Sequence, residues 1–389
     1  MMIRALRIVT VVMFALILVC PFVQKRLRVF KYRSLNENRL KAPCPTDWRA
    51  LFETGTPFAR KYEEYFNDDY GLRDLLIRTK NSLDYRLFRK SEKVVIGRDD
   101  WLFYRSVVED EEILLEKTCS QLCEPLYDRI LRLQRVLAAR GVTLVMLPCP
   151  MKNTVYPEML PATAPRRPDP TCFDRLRRFL KNHPEIITVD PMPILQQLKG
   201  SFRVFYKTDF HWTDPAGAFV ARELINTLGR LSGKGNLWDF PIEMRTEIMV
   251  TGGENASLGL LHPIVEDALL LKKDRVDMES FRKQVRVDAG FGEFFLTEEA
   301  NEWTYRTKLP NTDRLLPATV MFGDSYGDAM LRAGFTAYFV QLQKFSNYDF
   351  KTRWAEIPPG TRFFIFEYIE PFLNSLLNPA MWPEELVAK

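Results

Sequence analysis

Short apolar segments alternate with amphipathic segments of helical periodicity along most of this 389-residue chain. We predict helices at residues 125–140, 172–182, 215–229 and 328–334, and strands at residues 142–148, 185–190, 203–209, 318–322, 336–340 and 362–368. Such alternation is typical of the α/β class, in which a doubly wound, mostly parallel sheet carries helices on both faces. We therefore expect this fold.

The N-terminus carries a longer apolar run. Residues Ile8–Val23 contain no charged side chain, and Arg and Lys flank them on both sides. As a helix, these 16 residues would rise about 24 Å, somewhat less than the ~30 Å hydrocarbon core of a bilayer, and the flanking cations can snorkel to the interface. No small-x-small cleavage site follows, so the sequence favours an uncleaved transmembrane helix over a cleaved signal peptide or a buried helix.

The charges around this run conflict with an extracytoplasmic location. More Lys and Arg residues follow the run than precede it, and the positive-inside rule alone would leave the main domain in the cytoplasm. That rule is weaker where a long C-terminal domain is translocated. We expect the main domain to lie outside the cytoplasm.

We predict three parts along the chain. Residues 1–30 are expected to form the membrane anchor, and residues 31–92 a tether followed by a helical lead segment in which Gly71 separates two helices. Residues 93–389 are expected to form the α/β domain, with a less regular insertion around residues 235–315.

Charge and cysteine content exclude some functions. The 55 Lys and Arg residues are nearly balanced by 50 Asp and Glu, and nucleic-acid-binding motifs are absent, so we expect no nucleic-acid partner. Spacings such as CxxC and HExxH are also absent, and we expect no metal site. Cys119 and Cys123 are close enough to form a disulfide if the segment turns, whereas Cys44, Cys149 and Cys172 have no evident partner.

An Asp-x-His segment follows the predicted strand at residues 203–209. Asp209 and His211 precede Pro215, which suits the first turn of a helix, so both side chains are expected on a strand-to-helix loop. In open α/β sheets, ligands bind at this carboxyl edge. A carboxylate there can hold the imidazole Nδ1–H and leave Nε2 free as a base. The alternative is a structural histidine satisfied by a neighbouring aspartate.

A Gly-Asp-Ser segment follows the predicted strand at residues 318–322. Ser325 is expected on a strand-to-helix turn, with its Oγ exposed and backbone N–H groups directed at a developing oxyanion. The alternative is a serine that only caps a helix. Together the two segments supply a nucleophile, a base and an orienting carboxylate at one edge of one sheet. We predict a Ser325-His211-Asp209 triad.

The two segments also resemble a known family. Gly-Asp-Ser after a buried strand, together with an Asp/His loop, is the signature of SGNH hydrolases, but here the order is permuted, with DxHWT at 209–213 and GDSY at 323–326. That order resembles the alginate O-acetyltransferase group of SGNH hydrolase-like proteins. Residues 66–73 resemble the family's FNDxFGxR segment, residues 97–104 its GxDGWLF segment and residues 156–161 its YPExLP segment.

The resemblance covers roughly residues 62–370 and implies a function. It implies a bacterial enzyme held in the inner membrane, with its catalytic domain in the periplasm, that works beside a membrane-bound O-acyltransferase. Ser325 would take an acetyl group delivered by that partner, without a cofactor of its own, and pass it to a hydroxyl of an exopolysaccharide such as alginate. Asp100 stands where the family usually has Gly, and Asp tolerates tight turns.

Five further residues are candidates for substrate binding. Lys152 and Tyr156 would line the acceptor cleft, Trp212 would stack on a sugar, Tyr326 would close the pocket, and Asn255 would donate to the oxyanion. Packing within the fold is the alternative for each.

Two other functions remain open. A carbohydrate acetyl-esterase uses the same triad and differs only in its acceptor, and an inactive polymer-binding scaffold of a secretion complex needs no triad. The sequence does not name the polysaccharide.

Overall fold

The computed structural model describes residues 2–31, 35, 40–45, 56–283, 286–297 and 302–387. Its α-helices are α1 (Met2–Leu27), α2 (Thr56–Asp69), α3 (Arg73–Phe88), α4 (Glu112–Ala139), α5 (Lys152–Val155), α6 (Cys172–Asn182), α7 (Pro191–Lys199), α8 (Asp214–Leu231), α9 (Gly253–Leu258), α10 (Met278–Lys283), α11 (Gly327–Arg332), α12 (Phe350–Arg353), α13 (Leu373–Leu377) and α14 (Glu384–Val387). Its strands are β1 (Val94–Ile96), β2 (Leu102–Tyr104), β3 (Thr143–Cys149), β4 (Ile187–Thr188), β5 (Met244–Met249), β6 (Glu266–Leu271), β7 (Arg286–Asp288), β8 (Gly292–Leu296), β9 (Trp303–Thr307), β10 (Thr319–Gly323), β11 (Gln341–Ser346) and β12 (Phe363–Ile369).

The chain divides into two compact units. The first comprises Met1–Val94 and Gly252–Ile264, and the second comprises Val95–Thr251 and Val265–Lys389. The predicted start of the α/β domain at residue 93 lies two residues before the start of the second unit at Val95, and the first unit also includes a segment from the middle of the sequence. Much of the predicted tether lies outside the described residues.

The first unit contains the N-terminal helix. Within α1, residues Arg4–Leu27 have a mean hydropathy of 2.6 and are long and apolar enough to cross a membrane. Helices α2 and α3 are separated at Gly71, as predicted. A Cβ on Gly71 would lie 1.9 Å from the Pro21 carbonyl oxygen, so only glycine permits this approach to α1. On α3, Arg78 Nη1 donates to the Leu260 carbonyl at 3.0 Å.

The second unit is built on an eight-stranded sheet of order β4-β3-β12-β10-β11-β9-β8-β7. The five strands from β4 to β11 are parallel, and β9, β8 and β7 continue the sheet in antiparallel pairs. The mostly parallel α/β sheet is thereby confirmed. Part of the predicted insertion at 235–315 belongs to this sheet, since it supplies β7, β8 and β9, while β5 and β6 form a separate hairpin.

Alternate residues of the central strands face two helical layers. Val320 and Phe322 of β10 pack in one apolar cluster with residues of α4, α6 and α13, whereas Met321 packs in the other cluster with residues of α8 and α11. Because successive side chains of a strand point to opposite faces, both faces of β10 are buried. The central strands are apolar for this reason. In such sheets a ligand-binding site forms on the loops that follow the carboxyl ends of the strands.

Three predicted elements differ from the structure. Residues 203–209 form no extended strand and contribute only an isolated bridge, Phe205 to Trp212. Residues 335–338 form a 3₁₀ turn, and the strand begins at Gln341. Residues 204–206 and 335–338 are buried, and a short apolar run does not by itself distinguish a strand from a buried turn. Helix α4 begins at Glu112, 13 residues before the predicted helix start at Pro125, and Pro125 lies inside it.

Cys119 does not pair with Cys123, although their spacing would allow that disulfide if the segment turned. Cys119 forms a disulfide with Cys172 across a sequence separation of 53 residues, and Cys123 remains a free thiol. Helix α6 begins at Cys172 and packs against α4, which places the two Cα atoms 5.9 Å apart. The packing of α6 against α4 therefore makes Cys172 the disulfide partner of Cys119. A disulfide is typical of an oxidising compartment.

Candidate active site

Ser325 lies directly beyond the carboxyl end of the central strand β10. The strand ends at Gly323, and Ser325 is partly exposed on the turn that leads into α11. The Asp324 carboxylate holds this turn, since it accepts the N–H of Tyr326 at 2.9 Å and the N–H of Ile369 at 3.1 Å. The serine hydroxyl is therefore presented at the sheet edge, as the sequence predicted.

Asp209 and His211 lie on the loop before α8 and complete a hydrogen-bonded chain. With Nδ1 protonated, the His211 ring donates to Asp209 Oδ1 at 2.6 Å, and the same oxygen accepts the His211 backbone N–H at 2.9 Å. His211 Nε2 lies 2.8 Å from Ser325 Oγ and can accept its proton. The two motifs, 114 residues apart in sequence, meet with the distances of a Ser-His-Asp triad.

Opposing effects set the charges of the triad. Burial lowers the pKa of His211, but its hydrogen bond to Asp209 and the nearby carboxylates of Asp328 and Asp324 raise it, and the net shift is upward. Burial raises the pKa of Asp209, but the hydrogen bond and charge of His211 outweigh burial, and the net shift is downward. The pair thus favours an ionised Asp209 that stabilises the imidazolium formed when Ser325 gives up its proton.

Two buried side chains fix the loop that carries Asp209. Lys152 is 1% exposed, and its Nζ donates to the carbonyls of Tyr206, Lys207 and Asp209 at 3.3, 3.2 and 2.9 Å. Glu266 accepts the N–H groups of Lys207 and Thr208 at 2.8 and 3.0 Å. Lys152 is consequently a positioning residue rather than part of an open acceptor cleft, which corrects the prediction. Glu266 was missed, because it lies 57 residues beyond Asp209 without a local motif.

Three predicted substrate-binding aromatics are buried. Trp212 is 1% exposed and donates from Nε1 to the Tyr326 carbonyl at 3.0 Å. Tyr326 is fully buried, and its hydroxyl donates to the Phe210 carbonyl at 2.8 Å. The Tyr156 hydroxyl accepts the Val204 N–H at 3.0 Å. The hydrogen bonds of Trp212 and Tyr326 tie the serine turn to the Asp/His loop, and that of Tyr156 holds the chain at Val204. Their structural role corrects the predictions of sugar stacking, pocket closure and cleft lining.

Asn255 lies in the first unit, whereas the triad lies in the second. Its side-chain amide donates to the Ile264 carbonyl at 2.7 Å, and its oxygen accepts the Ile264 N–H at 3.1 Å. The residue closes its own loop, so the geometry gives it a structural role instead of the predicted oxyanion contact. Within the described part of the chain, the Ser325 N–H makes no hydrogen bond and is free to donate to an oxyanion.

A buried acidic side chain lies beneath the serine turn. Glu367 on β12 is fully buried, and its Oε2 accepts the Asp324 N–H at 2.7 Å. A Cβ on Gly323 would lie 2.6 Å from this oxygen, so the glycine of the GDS motif makes room for Glu367. Burial raises the pKa of Glu367 well above its usual range and lowers that of Lys344, which is also buried. The signal that could have found Glu367 is that it is the only charged residue in the apolar run at residues 363–368.

The ring of Phe210 lies against the imidazole of His211. The Phe210 ring centroid is 3.9 Å from that of His211 and 5.4 Å from that of Tyr104. Both Phe210 and Tyr104 are partly exposed. The imidazole therefore has an apolar neighbour on one side, which limits access of water to it.

Among the described residues, the side chains close enough together to share a metal ion are Cys119, Cys123 and Cys172. Two of these sulfurs form the disulfide, which removes them as thiolate ligands.

A family model matches the part of the chain that carries the Asp/His loop. The resemblance inferred from the motifs is confirmed: residues 94–265 match the family model described as "SGNH hydrolase-like domain, acetyltransferase AlgX". Asp209 and His211 lie within the matched residues, and Ser325 lies beyond them.

Relatives carry a more specific name. A probable alginate O-acetylase AlgJ from Azotobacter vinelandii is 29% identical over 233 residues, which are 58% of this chain and 57% of the relative. One from Pseudomonas fluorescens is also 29% identical, over 53% of this chain and 51% of the relative. This chain thus matches only slightly more than half the length of each.

A solved structure supports the fold. The O-acetyltransferase domain of Pseudomonas putida AlgJ aligns with a TM-score of 0.50 and 20% sequence identity, and the alignment covers 76% of this chain and 97% of that one. The predicted SGNH hydrolase-like fold is confirmed.

Proposed function

We propose that this chain is an O-acetyltransferase that moves an acetyl group through Ser325 onto hydroxyls of an exopolysaccharide. The observation that carries the proposal is the continuous chain from Asp209 Oδ1 to His211 Nδ1 at 2.6 Å and from His211 Nε2 to Ser325 Oγ at 2.8 Å. The relatives named as probable alginate O-acetylases support acetyl transfer as the reaction and alginate as the first acceptor to test.

The chemistry runs in two halves. In the first, Ser325 Oγ attacks the acetyl carbonyl of a donor ester, and His211 Nε2 takes the hydroxyl proton. The Ser325 N–H stabilises the oxyanion. The donor oxygen then leaves with the proton from His211, and an acetyl ester remains on Ser325.

In the second half, His211 takes the proton of a sugar hydroxyl as that oxygen attacks the acetyl-enzyme. The bond from the acetyl carbon to Ser325 Oγ breaks, and His211 returns the proton to the serine. Asp209 stabilises the imidazolium in both halves. The reaction needs no cofactor within the chain, only an acetyl donor.

We further propose the setting of this reaction. Helix α1 would span the inner membrane and hold the second unit in the periplasm, where the disulfide of Cys119 and Cys172 is stable. Acetyl donors are made in the cytoplasm, so a membrane-bound O-acyltransferase would have to pass the acetyl group across. Polysaccharide is the acceptor on the periplasmic side.

Acetate content of the polymer tests this function. Deleting the gene is expected to lower polymer O-acetate, measured by NMR, with little change in polymer yield. Wild type and a control variant, Ser201→Ala at an exposed turn serine, should restore acetate, and Ser325→Ala should not. A rise in acetate on deletion would indicate an esterase. A loss of export or chain length that Ser325→Ala restores would indicate a scaffold.

A further inference from the structure

Tyr348 and Ser325 lie on two loops that follow neighbouring strands of the sheet. The parallel strands β10 and β11 pair in register up to Gly323 and Ser346. Ser325 follows Gly323 by two residues, and Tyr348 follows Ser346 by two residues. Because paired strands lie about 4.8 Å apart, the two loops leave the sheet side by side.

Hydrogen bonds join these two loops. The Asn347 amide donates to the Asp324 carboxylate at 3.3 Å and to the Glu367 carbonyl at 3.4 Å. Asn347 is fully buried. The residue before Tyr348 is therefore bound to the residue before Ser325, which fixes the backbone of both loops relative to each other.

The Tyr348 side chain is exposed but supported. It is 60% exposed, and its ring meets Phe372 edge-on with the centroids 4.9 Å apart. Phe372 is 2% exposed and lies after β12, the strand on the other side of β10. Phe295, on the antiparallel strand β8, is a second exposed aromatic, and the guanidinium groups of Arg286 and Arg306 lie over its ring at 5.4 and 5.8 Å.

We propose that Tyr348 is the platform on which a pyranose ring of the acceptor stacks while its hydroxyl attacks the acetyl-enzyme. This inference rests on the proposed function. A transferase must favour a sugar hydroxyl over water at ~55 M, and it does so by holding the acceptor in place. A tyrosine ring offers a large, rigid contact area at low conformational cost. Phe372 supports that ring on the loop next to the one that carries Ser325. The buried aromatics of the site, by comparison, expose no ring face on which a sugar could stack.

The test separates acetylation of the enzyme from acetyl transfer to sugar. Purified full-length variants in detergent are given p-nitrophenyl acetate, alone or with oligosaccharides prepared from unacetylated alginate. Tyr348→Ala is expected to hydrolyse the ester within about twofold of wild type. Its KM for the oligosaccharide is expected to rise about tenfold, the effect of losing one well-packed aromatic contact. Tyr348→Phe and the control Phe295→Ala should both behave as wild type.

Each outcome decides the matter. If Tyr348→Ala transfers acetyl to the oligosaccharide with the wild-type KM, the platform is refuted while the proposed function stands. An equal loss of hydrolysis and transfer in Tyr348→Ala would also refute it, because Tyr348 would then support the serine turn and not the acceptor. If wild type uses the ester only for hydrolysis, and Ser325→Ala is inactive, the transferase function itself fails.

Discussion

Asp209→Asn tests how the triad is polarised. In the structure, Oδ1 of Asp209 accepts both the ring Nδ1–H and the backbone N–H of His211, at 2.6 and 2.9 Å. An asparagine oxygen can keep the backbone hydrogen bond, but the substitution removes a charge-assisted bond of about 1.5–3 kcal/mol. The amide can also donate to Nδ1, which would fix the proton on Nε2. His211 would then be unable to accept the Ser325 proton.

The expected loss is large and shows in two readouts. In a serine protease triad, the same substitution lowers kcat about 10⁴-fold through the wrong tautomer, and we expect a loss of about 10³–10⁴-fold here. The carboxylate also raises the pKa of His211 against the lowering effect of burial. Since neutral His211 is the base, activity falls as pH drops through that raised pKa. Removing the carboxylate lowers the pKa, so the acid limb moves to lower pH.

The assay is hydrolysis of p-nitrophenyl acetate across pH, with Asp313→Asn at an exposed position as the control. Circular dichroism confirms that each variant is folded. Near-wild-type kcat in Asp209→Asn, or an acid limb displaced to higher pH, would refute this account of the triad.

Three pairs of variants test the supporting structure. Glu367→Ala leaves the Asp324 N–H without its acceptor, which costs about 1–3 kcal/mol, so the variant should have a lower kcat and Tm. Glu367→Gln keeps an acceptor oxygen and should lose far less of both. Equal losses in the two variants would contradict a role for this hydrogen bond. Cys172→Ser opens a 53-residue disulfide loop and should lower the free energy of unfolding in urea by about 4 kcal/mol, while Cys44→Ser, at an exposed free thiol, should not change it. Asp100 has a φ of 60°, a left-handed conformation that glycine adopts easily and β-branched residues do not. Asp100→Gly should therefore keep or raise Tm, and Asp100→Val should lower it. A lower Tm for the glycine variant than for the valine variant would contradict the left-handed turn.

The triad was predictable because its geometry is local. A buried strand followed by Gly-Asp-Ser places the serine at the sheet edge. Residues 203–209 form no strand of the sheet, and Asp209 and His211 reach the serine from the loop before α8. The topology then brings the two loops together without further information from the sequence. Residue type and neighbours along the chain were sufficient for these side chains.

The residues predicted to bind substrate have structural contacts instead, because the burial of a side chain depends on residues that are distant in sequence. Trp212 and Tyr326 adjoin the catalytic residues in sequence, yet their side chains point beneath the loops and hold them through hydrogen bonds. Glu266, on the distant strand β6, accepts a hydrogen bond from Thr208 in the Asp209 loop. No pattern in the sequence predicts this contact or the burial of Glu266. The proposal for Tyr348 likewise depends on tertiary structure, since only the pairing of β10 with β11 brings its loop next to that of Ser325.

The most direct test of the account is to trap the acetyl-enzyme. Full-length protein is mixed with p-nitrophenyl acetate, quenched in acid within the first turnover and digested for mass spectrometry. We predict one added acetyl group on the peptide that contains Ser325, none in Ser325→Ala, and its loss from the wild-type peptide when acceptor oligosaccharide is added before the quench. Acetyl on another residue, or an unmodified Ser325 peptide during rapid turnover, would contradict the central claim that Ser325 carries the acetyl group.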